Sequence, residues 1–329
     1  DIKETLFEIA GTPSVAGFEG ELAEICAGYL RRYFPGTEII QGGVAAMPEN
    51  PESAILLDAH IDQIGMVCTH VTDDGFVKVG NAGGLDCRLL AGQAVKIHSR
   101  SGVIDAVITS VPPHLASKSE KVPGIEDILI DTGLPKQALD GAVGYPVSFD
   151  MPCRELAGGR VTGPSLDDAA GVAAILYALS LMPEKKLKNT AVLFSFGEEI
   201  GGRGAMTSVY GMKFAAAVAV DVSFALTNGE DEDKCGKMGK GPMIGISPSL
   251  DRELSYRLIS IAEKAGIPYQ REVMPGLTST NADRFAVSGS GIKSGTVSVP
   301  LKYMHTPVEC ADLKDIELTG RLLAEAVSE

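Results

Sequence analysis

Tryptophan is absent from this 329-residue chain, and aromatic residues make up only 5% of it. Stacking platforms for single-stranded nucleic acid depend on such rings, so that partner is not expected. Basic residues are also scarce: 29 Lys and Arg stand against 43 Asp and Glu, a formal net charge of −14. A nucleic-acid binder needs the opposite footprint, and an anionic membrane surface would repel this charge. No stretch of about 18 uncharged apolar residues occurs, so no membrane span is expected. No charged segment followed by an apolar run reads as a signal peptide. The cysteines (Cys26, Cys68, Cys87, Cys153, Cys235 and Cys310) are scattered without a C-x-x-C pair. That pattern fits reduced, buried thiols in a cytoplasmic protein better than a disulfide framework. H-E-x-x-H, G-x-S-x-G, Walker A and G-x-G-x-x-G are missing too, which argues against the chemistries those motifs carry.

What remains is a folded composition, 45% hydrophobic with a mean hydropathy of +0.13, on a chain long enough for two domains. Surplus carboxylates suit metal cations, although most acidic proteins are simply well solvated. Residues 19–34 carry apolar positions at helical spacing, and 53–60 (SAILLDAH) read as a short buried strand. From 66 to 157 the runs become short, alternating and glycine-punctuated, the pattern of a small β-rich domain. From 158 onward strands and helices alternate: helix 168–181, strand 190–196, strand 215–220, helix 250–265, strand 292–299, helix 312–327. This predicts an α/β layered sheet with helices on both faces, interrupted by a β-rich insertion. The resulting division is 1–65 and 158–329 for the α/β part and 66–157 for the insertion. The polar stretch 229–241, with an acidic run at 230–233, reads as a solvated loop rather than a binding motif.

Chemistry-bearing residues gather at the predicted strand ends. His60 closes the SAILLDAH strand, and Asp62 follows two residues later, on the same face if the strand continues. An Asp beside a ligand His commonly orients the ring; an ordinary polar strand end is the competing reading. Asp167 and Asp168 open a helix, where one carboxylate serves as a cap but two exceed that need. Glu198 and Glu199 follow directly on an apolar strand. Their mutual repulsion is resolved if one neutralises a cation and the other handles a proton. Asp221 is read as ending strand 215–220, where open α/β sheets place ligands, with a plain loop Asp as the alternative. His305 follows the last strand. Together these form a ligand field suited to Zn²⁺, Co²⁺ or Mn²⁺. His70 and His98 read as structural or surface residues, and His114 is left unassigned.

These segments, in this order, resemble the glutamyl aminopeptidase/TET-aminopeptidase family of two-metal exopeptidases. The resemblance rests on AHIDQIG (59–65), SLDDAAG (165–171), EEIGGRGA (198–205), VDVSFA (220–225), MGKGP (238–242) and KYMHTPVE (302–309). It implies a zinc-exopeptidase type of fold: a central mixed sheet flanked by helices, with a small barrel-like insertion. It further implies two divalent ions per subunit, with His60 and Asp221 on one, Glu199 and His305 on the other, and Asp167 bridging. Asp62 would orient His60, and Glu198 would be the general base on the attacking water. Short peptides are the implied substrates. The insertion would support dimers that assemble into a tetrahedral dodecamer, and MGKGP would lie near the substrate pocket. Two positions depart from the pattern: Ala169 follows Asp168 in place of the usual Arg, and Asn281 replaces the Asp of a Gly-Thr-Asp-Ala motif. Both bear on substrate preference, the second on how the peptide amine is held. A related amidohydrolase (deacylase, carboxypeptidase or dipeptidase) and a non-catalytic assembly remain open alternatives. A cellulose-type glycosidase would need two opposed carboxylates and no metal.

Overall fold

A computed structural model describes residues 1–112, 114–115, 122–139 and 141–327. An eleven-stranded mixed sheet forms the body. Its centre is parallel: Thr190–Ser195 lies beside Ile55–His60, which lies beside Ala216–Phe224, which lies beside Ser294–Lys302. Antiparallel strands extend both edges, including Glu309–Asp312 and Arg160–Gly163.

Alternation along the parallel strands feeds two cores. Leu57, Ala59, Phe194, Val218, Val220 and Val222 join the larger one, beneath helices Ile2–Gly11, Gly20–Leu30, Leu166–Leu181, Arg252–Ala265 and Leu313–Ala326. Leu56, Leu193 and Ala217 face the smaller core, closed by helices Arg203–Ser208 and Asn281–Val287 through Ala205 and Phe285. Helices on both faces of a sheet with a parallel core are the layered arrangement expected of alternating strands and helices. Helix Leu166–Leu181 carries no charged residue after Asp168 and is buried on nearly all sides, as a helix apolar all round must be.

The segment between the first parallel strand and Arg154 contributes a second sheet. Six strands, from Gly65–Val71 to Pro146–Phe149, close into a barrel around Met66, Val79, Ile97, Ile108, Ile130 and Val147. Closure removes the exposed edges that a small open sheet would leave.

Two expected boundaries shift. The strand expected to stop at Val220 runs to Phe224, because Asp221 to Phe224 stay paired with Ser298 to Leu301. Asp221 therefore lies within the strand rather than at its end. Strand Ile55–His60 stops at His60, so Asp62 is not on a continuing strand. All six cysteines are free, but only Cys26, Cys68 and Cys310 are fully buried; the other three are half-buried. Among the described residues no helix is long and apolar enough to cross a membrane.

Candidate metal centre and active site

The parallel strands deliver their C-terminal ends to one place, and the ligand-type residues meet there. His60 and Asp221 lie on neighbouring strands, and Glu198 and Glu199 follow Ser195, which is in register with His60. Asp167 arrives at the start of helix Leu166–Leu181, and His305 from the turn after Ser294–Lys302.

Asp167 sits in the middle. One carboxylate oxygen lies 3.0 Å from His60 Nε2 and the other 3.5 Å from His305 Nε2. On the His60 side, Asp221 Oδ1 is 3.9 Å from Nε2. On the His305 side, Glu199 Oε1 is 3.4 Å from Nε2. Donor atoms of His60, Asp167 and Glu199 all fall within 4.8 Å of one another, as do those of His60, Asp168 and Asp221.

The two aspartates divide their duties. Asp168 Oδ1 accepts the Gly171 N–H at 2.9 Å, and Oδ2 accepts the His60 N–H at 3.3 Å. Asp168 is thus a helix cap that also holds the His60 backbone, leaving Asp167 to face the histidines.

Asp62 differs from the expected ring-orienting carboxylate. The group hydrogen-bonded to His60 Nδ1 is the Asp62 main-chain carbonyl, at 2.9 Å. The Asp62 carboxylate is 3.6 Å from that nitrogen. It accepts instead the N–H groups of Glu198 and Glu199, at 2.8 and 3.1 Å. The carbonyl still sets the tautomer, leaving Nε2 free to bind a cation.

Glu309, the last residue of the KYMHTPVE segment, is 1% exposed and uses both oxygens. One accepts the Asp167 N–H at 3.0 Å and the other the His305 N–H at 2.8 Å. A Glu four residues after a candidate ligand was the available signal. The loop after barrel strand Val77–Ala82 also reaches the site. A Cβ on Gly84 would stand 2.9 Å from His305 Nδ1, and one on Gly83 would stand 3.2 Å from Glu199 Cβ.

The electrostatics call for cations. Burial pushes Glu198 up to about 7 and raises Glu199, Asp168, Asp221 and Glu309. Burial opposes ionisation of Asp167 as well, but hydrogen bonds with His305 and His60 hold its carboxyl below the usual range. Asp167 and Glu199 lift His305 to about 11. Two imidazoles do not balance this many buried carboxylates, and buried charge persists only when paired or bound to metal. The mixed nitrogen and oxygen donor set fits borderline divalent ions.

A cleft of about 430 Å³ opens onto the cluster, walled by Phe224, Leu277, Thr278, Ser279, Asp283, Arg284 and Met304. Several expectations fall outside it. Asn281 is 2% exposed and donates to Asp58 and Ser195, at 2.9 and 2.8 Å, beneath the sheet. Its side chain thus lies in the core and not on the cavity wall. Ala169 is likewise packed in the larger core. The MGKGP loop is tied down through Gly239 and Gly241 N–H groups to Asp315, and none of its residues lines the cleft. His70 and His114 are exposed, and His98 pairs with Ser148 at 2.8 Å, in the barrel.

Comparison with known proteins agrees along nearly the whole chain. It is 27% identical to a lysyl aminopeptidase of Pyrococcus furiosus, over 99% of this chain and 96% of the relative. The fold superposes on an aminopeptidase of the archaeon Desulfurococcus kamchatkensis with a TM-score of 0.91 at 30% identity, covering 99% and 94% of the two chains. A TET1 peptidase of Pyrococcus horikoshii, which assembles into a tetrahedron or a large octahedral shell, matches with a TM-score of 0.88 at 30% identity, covering 99% of each chain. Residues 42–322 match the M42 glutamyl aminopeptidase family, and the chain belongs to that family, as a hydrolase acting on peptide bonds.

Proposed function

We propose that this chain is a two-metal aminopeptidase that removes N-terminal residues from short peptides. The observation that carries the reading is the Asp167 carboxylate, set between His60 and His305 with one oxygen toward each, at 3.0 and 3.5 Å. In this reading His60 and Asp221 hold one ion, Glu199 and His305 hold the other, and Asp167 serves both. Zn²⁺ is the first choice, with Co²⁺ or Mn²⁺ as substitutes.

Such ions, when bound, supply Lewis acidity at the scissile carbonyl and acidify water at neutral pH. The remaining work belongs to the protein. Glu198, lifted to about 7 by burial, is matched to taking a proton from the attacking water and returning it to the leaving amine. Asp62 holds the Glu198–Glu199 turn through two backbone N–H groups. The cleft of about 430 Å³ beside the cluster has room for a peptide end.

The division into 1–65 with 158–329 and an inserted 66–157 follows from this reading. So do assembly of dimers into a dodecamer, on the precedent of a TET1 structure that is itself a dodecamer, and a cytoplasmic location. The test is hydrolysis of free and N-acetylated peptides by chelator-stripped protein, with and without added Zn²⁺, Co²⁺ or Mn²⁺. Metal-restored cleavage of free peptides only is expected. Cleavage of blocked substrates would move the reading to a deacylase or carboxypeptidase. Bound metals without turnover would leave a non-catalytic assembly.

A further inference from the structure

Glu309 stands apart from the assigned ligands, and its setting gives it a task. Strand Glu309–Asp312 pairs on one side with Arg160–Gly163, the strand that leads into Asp167. On the other side it pairs with Ser294–Lys302, the strand that leads into His305. Glu309 opens this middle strand, opposite Gly163 in register. It therefore sits at the fork from which the two ligand-bearing segments diverge.

Its side chain spans that fork. The Oε2 atom accepts the Asp167 N–H at 3.0 Å and Oε1 accepts the His305 N–H at 2.8 Å. Both segments need such a hold. His305 has φ +60° and Tyr303 φ +60°, and Ser165, before Asp167, has φ +58°. Non-glycine residues persist in the left-handed region only where their surroundings over-determine them. A buried side chain that accepts one backbone N–H at each oxygen ties the two segments together, because a buried polar group left without its partner is costly.

We propose that Glu309 is a positioning residue that sets the spacing of Asp167 and His305 and so preorganises the two-cation site. This rests on the two-metal reading above. It extends the principle that groups behind the ligands tune a metal site, usually seen as side chain to side chain, to a carboxylate that acts through the ligands' main chain.

The test is metal binding. Apo protein, wild type and Glu309→Gln, is titrated with Zn²⁺ by calorimetry and with Co²⁺ by visible absorption, alongside thermal unfolding without metal. Gln has nearly the same shape, but its amide NH₂ would face one of the two N–H donors. The expected result is an affinity about 10- to 100-fold weaker at one or both sites, an altered Co²⁺ spectrum, and a folded apo protein. For a free-amine peptide at saturating metal, kcat should fall more than KM rises. If Glu309→Gln does not fold, Glu309→Asp takes its place; it keeps the charge but is too short to reach both N–H groups, and the same weakening is expected. Wild-type affinity and spectrum in the folded variant would overturn the proposal while leaving the two-metal reading intact. A wild-type protein that binds no divalent ion would sink both.

Discussion

Asp62 holds Glu198 by its main chain: a carboxylate oxygen of Asp62 accepts the Glu198 N–H at 2.8 Å, while the other accepts that of Glu199 at 3.1 Å. The proposed base and the proposed ligand are thus fixed by one buried side chain. Asp62→Asn can accept only one of these bonds and sets a donor against the other N–H. We expect kcat to drop by about 10- to 100-fold, in line with losses at groups supporting a metal site. Steady-state kinetics beside a metal assay will check this; unchanged kcat in a fully loaded variant counts against the role.

Glu198→Gln removes the proton carrier and little else. Turnover should fall by at least about 10²- to 10⁴-fold, the usual contribution of general acid–base catalysis. Metal content and thermal stability should match wild type. Retention of most of kcat would falsify the assignment of Glu198 as the base.

Asp167 faces both histidines, so Asp167→Ala should lose both ions together, and Asp221→Ala should chiefly weaken the one shared with His60. Metal analysis after exhaustive dialysis distinguishes the two. Two ions retained by Asp167→Ala would rule out bridging.

Gly84 tests the contact between barrel and site. A Cβ there would come within 2.9 Å of His305 Nδ1. His305 is partly exposed and free to yield, so Gly84→Ala should cost little stability. It should displace the ring and weaken one cation by roughly tenfold, as other losses of ligand orientation do. Wild-type metal affinity in this variant would show that the ring tolerates the methyl group in place.

Glu272 offers a pH test away from the ligands. Burial raises its carboxyl above the ordinary range, against the pull of Ser223 and Ser298, and its Oε2 has no hydrogen-bond partner among the described residues. A carboxyl raised in the folded state contributes stability that is full below its unfolded value. That contribution is lost as pH rises through the folded value. Glu272→Gln does not titrate, so its stability relative to wild type should increase from mildly acidic to alkaline pH. Denaturant unfolding at several pH values reads this directly, and parallel curves would count against a raised Glu272.

The sequence by itself determined the class of fold and the cast of the candidate site. Apolar runs broken by His60, Asp167, Glu198, Glu199, Asp221 and His305 were legible because a charged residue beside a core strand needs a reason. Alternating strands and helices, and the glycine-punctuated β-rich stretch, were legible because helix and strand periods differ. Only the tertiary structure decided which residues meet. The strands neighbouring in space are Thr190–Ser195, Ile55–His60, Ala216–Phe224 and Ser294–Lys302, an order that no local pattern encodes. From that order follow the central place of Asp167, the burial of Asn281 against Asp58, and the grip of Asp62 on main-chain N–H groups. The same holds for the reach of Gly84 from the barrel to His305 and the span of Glu309 between two segments. Each includes a contact between residues far apart in the chain. Local propensity fixes the elements, whereas the packing of their buried faces sets the distances between them.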